Sequence, residues 1–133
     1  MEKDMVAGLI IKNKKVLLVH NTKHNGLRIE PPGGKKKAEE GWRDAVVREV
    51  SEELGVEVDP VKFFGAYNTN SPEGKFSVHM YFCDIISGKL SVLEPKKIPS
   101  FAWYSYDELE QLSKSKILVP NMRQALSEIR KYL

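Results

Sequence analysis

The chain has 133 residues, 41% of them hydrophobic and 29% charged, with 9 Gly and 7 Pro; this fits one globular domain spanning residues 1–133 and excludes disordered, collagenous and coiled-coil chains. Lys and Arg number 21 against 18 Asp and Glu, and a net charge of +3 does not by itself call for a nucleic-acid partner. No apolar run is long enough to span a membrane, Met1-Glu2-Lys3-Asp4-Met5 lacks the layout of a signal peptide, and the single cysteine, Cys83, forms no internal disulfide; a reducing, cytoplasmic setting is expected.

Val6 to Ile11 and Val16 to Val19 are short β-branched runs separated by Lys12-Asn13-Lys14-Lys15, the pattern of a hairpin. A polar stretch, Asn21 to Gly26, leads through Leu27-Arg28-Ile29-Glu30 to Pro31-Pro32-Gly33-Gly34. Two prolines forbid a ladder and two glycines allow unusual backbone angles, so a specialised loop is expected there. A helix is predicted from about Gly41 to Leu54, stopped by Gly55, with a strand restarting at Val56. Further strands are predicted at Val61 to Asn68, Phe76 to Ile86 and Phe101 to Tyr104. In the second of these, Val78, Met80 and Phe82 alternate with His79, Tyr81 and Cys83. Pro120 opens an amphipathic helix to about Tyr132, with Met122, Ala125, Leu126 and Ile129 as its apolar stripe. Strands, helix, strands, helix in that order predict a mixed α/β sandwich.

On the first helix each residue advances about 100°, so with Glu49 at zero Glu52 falls near −60° and Glu53 near +40°. Three carboxylates thus share one narrow face, with Val47, Val50 and Leu54 expected on the core side and small Ala45 leaving room beside the acids. Solvated helix faces usually mix signs, because like charges at this spacing repel by a few tenths of a kcal/mol. Only Arg48 stands alongside. The crowding becomes favourable when a hard divalent cation binds, and all-oxygen ligands select Mg²⁺ or Mn²⁺ over zinc. From the helix alone, a solvated face and a metal site stay equally open.

The wider spacing adds to this. Gly34, Glu40, Arg48-Glu49-Val50, Glu52-Glu53 and Gly55-Val56 match every fixed position of GX5EX7REUXEEXGU, U being aliphatic, over Gly34–Val56. A chance match in a chain of this composition is on the order of 10⁻⁷. The sequence resembles a Nudix hydrolase over nearly its whole length. The resemblance implies a Nudix-type α/β/α sandwich with a mixed sheet, and hydrolysis of a nucleoside diphosphate linked to another moiety, with Mg²⁺ or Mn²⁺ as cofactor.

Carried onto these residues, the resemblance makes Glu49, Glu52 and Glu53 metal ligands together with the backbone carbonyl of Gly33. Arg48 would orient the glutamates with Glu40, while Gly34 and Gly55 are structural positions of the box. Glu49 or Glu53 would take a proton from water. Two departures stand out. Glu39 and Lys37 occupy positions where the family commonly has Gly and an acid. Downstream, Glu94-Pro95-Lys96-Lys97 with Trp103 and Asp107-Glu108-Leu109 resembles a stretch of MutT-type nucleotide pyrophosphohydrolases whose loop glutamate often adds a metal ligand. Lys96 replaces one acid there, and Glu94 is the remaining candidate.

The resemblance reaches Val119-Pro120-Asn121, similar to a Pro-x-Asn stretch in MutT-type enzymes that favour oxidised guanine nucleotides. Asn121 is thus a candidate base-binding residue; the alternative is a helix-start residue with no ligand role. Lys35-Lys36-Lys37 reads as a solvated loop or as a draw for an anionic substrate. His20, His24 and His79 are too scattered for a zinc motif. Trp42, Tyr67, Phe76, Tyr81 and Trp103 read as core or rim aromatics, one of which could stack on a base.

The expected substrate is a small nucleotide, with no membrane and no nucleic-acid polymer as partner. Nucleoside triphosphates lead, 8-oxo-dGTP among them; ADP-ribose or a dinucleoside polyphosphate is the alternative, and an idle nucleotide-binding module the third reading. Oligomeric state stays open between monomer and homodimer.

Overall fold

The computed structural model describes residues 3–23, 26–71 and 74–133. The predicted hairpin forms from β1 (Lys3–Lys12) and β2 (Lys15–Asn21). Asn13 and Lys14 turn it with φ of 52° and 61°. Two left-handed residues in a two-residue loop match the twist of the flanking strands.

Beyond the turn the two strands part and serve different neighbours. β1 runs parallel to β6 (Gly74–Gly88) and antiparallel to the short β4 (Gly33–Lys35). β2 pairs with β3 (Arg28–Glu30) and with β7 (Ser100–Tyr104). β5 (Val56–Ser71) lies antiparallel on β6, and register shifts near Pro60 let that residue sit inside a long strand. The result is a mixed sheet of seven strands, with β3-β2-β1-β6-β5 as its main path.

One helix covers one face and two cover the other. α1 (Trp42–Leu54) packs Val46, Val50 and Leu54 against Val6, Ile10, Leu17, Tyr81 and Cys83. α2 (Tyr106–Leu112) and α3 (Pro120–Ile129) pack Leu109, Met122, Ala125 and Ile129 against Leu9, Leu18, Val78 and Met80. This is the α/β/α sandwich expected from the sequence. Because the sheet is buried on both sides, both alternating sets of β6 find cover, and Met80, Tyr81 and Cys83 are all buried.

Four expectations are corrected. Gly33 and Gly34 lie in the strand β4, paired with Ala7 and Val6, and neither has positive φ. β5 and β6 are longer than predicted. α2 was not anticipated, although Ser105 and Glu108 close a full capping box at its start. α3 ends at Ile129 and continues as a 3-10 turn over Arg130–Tyr132.

Candidate active site

α1 begins after Gly41 and ends at Gly55, whose φ of 72° is the left-handed stop that glycine accepts without cost. Its buried residues, Ala45, Val46, Glu49, Val50, Glu53 and Leu54, span about −40° to +140° around the axis, with Glu53 near the middle. The acids therefore do not sit on a face opposite the core. Glu49 and Glu53 turn inward, 8% and 2% exposed, and only Glu52 stands out in solvent.

Arg48 ties this cluster together. Its guanidinium grips Glu40 through Nε and Nη2 at 2.9 and 2.6 Å, and donates from Nη1 to Glu49 at 2.9 Å. A looser contact at 3.4 Å reaches Glu52, and Nη2 also donates to the Lys35 carbonyl at 3.1 Å. The two-pronged grip, aided by the Lys37 N–H, holds the Glu40 carboxyl down to about 2, far below its usual range. The Arg48–Glu40 pair thus ties α1 to the loop before it.

Glu53 has the opposite surroundings. Burial pushes its pKa up to about 8, and nearby Glu30 and Glu49 add to the rise. Opposing it are the Gly33 N–H, which donates to Oε1 at 2.9 Å, and the Lys97 ammonium 3.6 Å from Oε2. The glycines are required by proximity. A Cβ on Gly33 would overlap the Val6 carbonyl oxygen and stand 2.8 Å from Ala7 Cα, while one on Gly34 would stand 2.5 Å from Glu49 Oε2.

Beside these groups opens a cavity of about 260 Å³. Gly33, Gly34 and Glu49 form one wall, Lys23, Arg28, Lys35 and Lys97 bring positive charge, and Met5, Phe76, Val78 and Val119 are apolar. Asn121, 6% exposed on the first turn of α3, lines the same cavity; its amide donates to Met80 Sδ at 3.3 Å. Asn21 also reaches in and donates to Glu30 at 3.0 Å. Sequence reasoning missed Asn21, Glu30, Lys23 and Arg28, which carry no motif of their own, and it took from the Glu94-Pro95-Lys96-Lys97 stretch Glu94 rather than Lys97.

Glu94 does not line the cavity; its backbone carbonyl accepts from Lys97 and Ile98 instead. His20 is held between Ser100 and Tyr104, and His79 stacks on Trp42 at 3.8 Å. His24 lies outside the described residues. Of the aromatics singled out, Phe76 alone lines the cavity, and Lys36 lies over the Trp42 ring rather than in it.

The donors offered to a cation are all oxygens, which suits Mg²⁺ or Mn²⁺. A buried carboxylate facing two other acids, with one half-exposed lysine as cation, is a site that a divalent charge would complete. Among the described residues no three acidic, His or Cys side chains already converge on one point. Closing around an ion requires Glu52 to swing inward, or ligands from water and substrate.

The family model described as NUDIX domain matches residues 2–128. The chain belongs to the Nudix family. Its fold superposes on a NUDIX hydrolase from Nitrosomonas europaea with a TM-score of 0.84 and 22% identity, covering 99% of this chain and 90% of that one. Over 64 residues it is 38% identical to "Putative 8-oxo-dGTP diphosphatase YtkD" of Bacillus subtilis (strain 168), covering 48% of this chain and 40% of the relative. Over 103 residues it is 29% identical to the NAD-capped RNA hydrolase NudC of Escherichia coli (O1:K1 / APEC), covering 77% of this chain and 39% of that protein. The matches thus span about two fifths of the length of these curated relatives.

Proposed function

We propose that this Nudix protein is a MutT-like pyrophosphohydrolase that splits a nucleoside triphosphate, 8-oxo-dGTP in preference to dGTP, into a nucleoside monophosphate and pyrophosphate. The observation that carries the reading is Asn121, a buried amide lining the same cavity as Glu49, Gly33 and Gly34. An amide offers an acceptor and a donor side by side. Ordinary guanine presents two acceptors at O6 and N7. Oxidation at C8 places a proton on N7, so the edge becomes acceptor plus donor and matches Asn121 at both positions. Against dGTP one pairing fails, a loss of roughly 1–3 kcal/mol or about 5- to 150-fold in kcat/KM. The name of the relative YtkD points to the same substrate.

Glu49, Glu52, Glu53 and the Gly33 carbonyl are the proposed ligands of Mg²⁺ or Mn²⁺. Bound there, a divalent cation neutralises the phosphate chain and acidifies a nearby water. Glu49 lines the cavity and Glu53 is not among its lining residues, which supports Glu49 as the group that would accept the proton from the attacking water. Arg48 keeps Glu49 aimed through its 2.9 Å contact and is itself anchored by Glu40. No nucleophilic side chain is called for. A second reading takes ADP-ribose or a dinucleotide as substrate; the NAD cap named for the relative NudC supports a dinucleotide.

The test is a panel of 8-oxo-dGTP, dGTP, ADP-ribose and NADH with Mg²⁺ and with Mn²⁺. Turnover is expected to vanish in EDTA and return with either metal. 8-oxo-dGTP is expected to lead the panel, and Asn121→Ala to shrink its advantage over dGTP more than it lowers kcat. Equal kcat/KM for the two nucleotides removes the 8-oxo reading; a lead by ADP-ribose or NADH replaces it.

A further inference from the structure

The loop between β6 and β7 was expected to offer an acid, Glu94, to the site. It brings a lysine instead. Lys97 is anchored through its backbone: its N–H donates to the Glu94 carbonyl at 3.0 Å and its carbonyl accepts from Thr22 at 2.9 Å. Next to it Ile98 is fully buried and also donates to the Glu94 carbonyl, at 2.7 Å. The Cα is thereby tied to the end of β2, and the four-carbon stem is the part left to move. From there Nζ lies 3.6 Å from Glu53 Oε2, with 31% of the lysine side chain exposed against 3% of the glutamate's.

Lys97 lines the cavity together with Gly33, Gly34 and Glu49. A lysine ammonium thus stands beside Glu53 at the place where a divalent cation would bind. The two cations cannot share this carboxylate without repelling each other. A lysine displaced from Glu53 stays within the same cavity, where a polyphosphate gives it a new anionic partner.

We propose that Lys97 is a built-in stand-in for the divalent cation: its ammonium occupies the cation's place beside Glu53 in the cation-free protein and moves to the phosphate chain of the nucleotide when the cation binds. The inference rests on the reading of the glutamate cluster as a cation site that serves a nucleotide.

The two halves predict effects of opposite sign on removing the lysine, which a merely structural residue would not give. Mn²⁺ binding without nucleotide, followed by electron paramagnetic resonance, is expected to tighten about fivefold in Lys97→Gln, because the ammonium that repels the incoming cation is gone. In the same variant KM for dGTP at saturating Mg²⁺ is expected to rise about tenfold, kcat changing less, because a charged phosphate contact is lost. Lys97→Arg, which keeps the charge, should stay near wild type in both. Unchanged or weaker Mn²⁺ binding in Lys97→Gln overturns the stand-in, and an unchanged KM overturns the transfer. Failure of the wild-type protein to bind Mn²⁺ at all would instead sink the reading of the site itself, and this inference with it.

Discussion

Burying a carboxylate costs free energy unless cations or hydrogen bonds offset it, and Glu53 has one backbone N–H and one lysine for that purpose. With its pKa raised from an ordinary 4.5 to about 8, the protonated form is favoured in the metal-free fold. Its contribution to stability is then fully present below about pH 4.5 and is lost as pH rises through about 8. In EDTA, Glu53→Gln is therefore expected to melt near wild type at pH 4.5 and several degrees higher at pH 8.5, read by calorimetry. The same variant should lose at least about 10²-fold in kcat if Glu53 is the cation ligand proposed above, since it removes that ligand's charge. A stabilised but inactive variant separates the role in function from the role in folding. Glu52→Gln should lose activity without this pH-dependent gain, because Glu52 is exposed.

At the scale of elements, β4 and α1 are held in contact by two glycines with different duties. Gly33 faces the β1 backbone, which cannot retreat; Gly34 faces the tip of the Glu49 side chain, which can. Gly33→Ala is expected to destabilise the fold by about 1–3 kcal/mol. Gly34→Ala should cost less in thermal stability and more in Mn²⁺ affinity, since what moves is a proposed ligand. On the opposite face, Ser105→Ala removes the cap of α2 and should cost about 1 kcal/mol while leaving Mn²⁺ binding unchanged.

These elements also mark what could be read in the sequence. The hairpin, α1 and its Gly55 stop were legible because turn chemistry and helical period are local. The contacts of Arg48 with Glu49 and Glu52 were legible in the same way, whereas its pairing with Glu40, in the loop before α1, followed only from the family spacing. α2 carried its signal in Ser105 and Glu108, and was passed over because Asp107-Glu108-Leu109 were read only as part of a resemblance. The reason position 33 must be glycine was not legible: it comes from Val6 and Ala7, far away in sequence, and not from the residue's own backbone angles. Asn21 was out of reach for the same reason, and Lys97, although part of the Glu94–Lys97 stretch, gave no sign of its reach to Glu53, since each joins the site through strand pairing and loop contacts rather than by spacing.

For the whole molecule, a cation that binds the folded site and not the unfolded chain stabilises the fold by about 2.7 kcal/mol at a hundredfold excess over its Kd. Titrating Mn²⁺ into the EDTA-treated protein should raise the melting midpoint by several degrees in wild type and much less in Glu53→Gln. β1 would carry such stabilisation into the sheet, because it pairs with β4 on one side and with β6 on the other.

The parallel pairing of β1 with β6 joins Lys3–Ile10 to Phe76–Cys83. Those partners lie far apart along the chain, and between them runs the whole Gly34–Val56 segment. Long-range pairings of this kind form late, after the entropy of closing a large loop has been overcome. On the ribosome, the chain can therefore emerge with every glutamate of its signature already synthesised and still lack the sheet that carries them. β7 and α3, which supply further parts of the sandwich, come later still. The signature is a compact stretch of sequence, yet the pocket it serves can be assembled only once β6, β7 and α3 have also been synthesised.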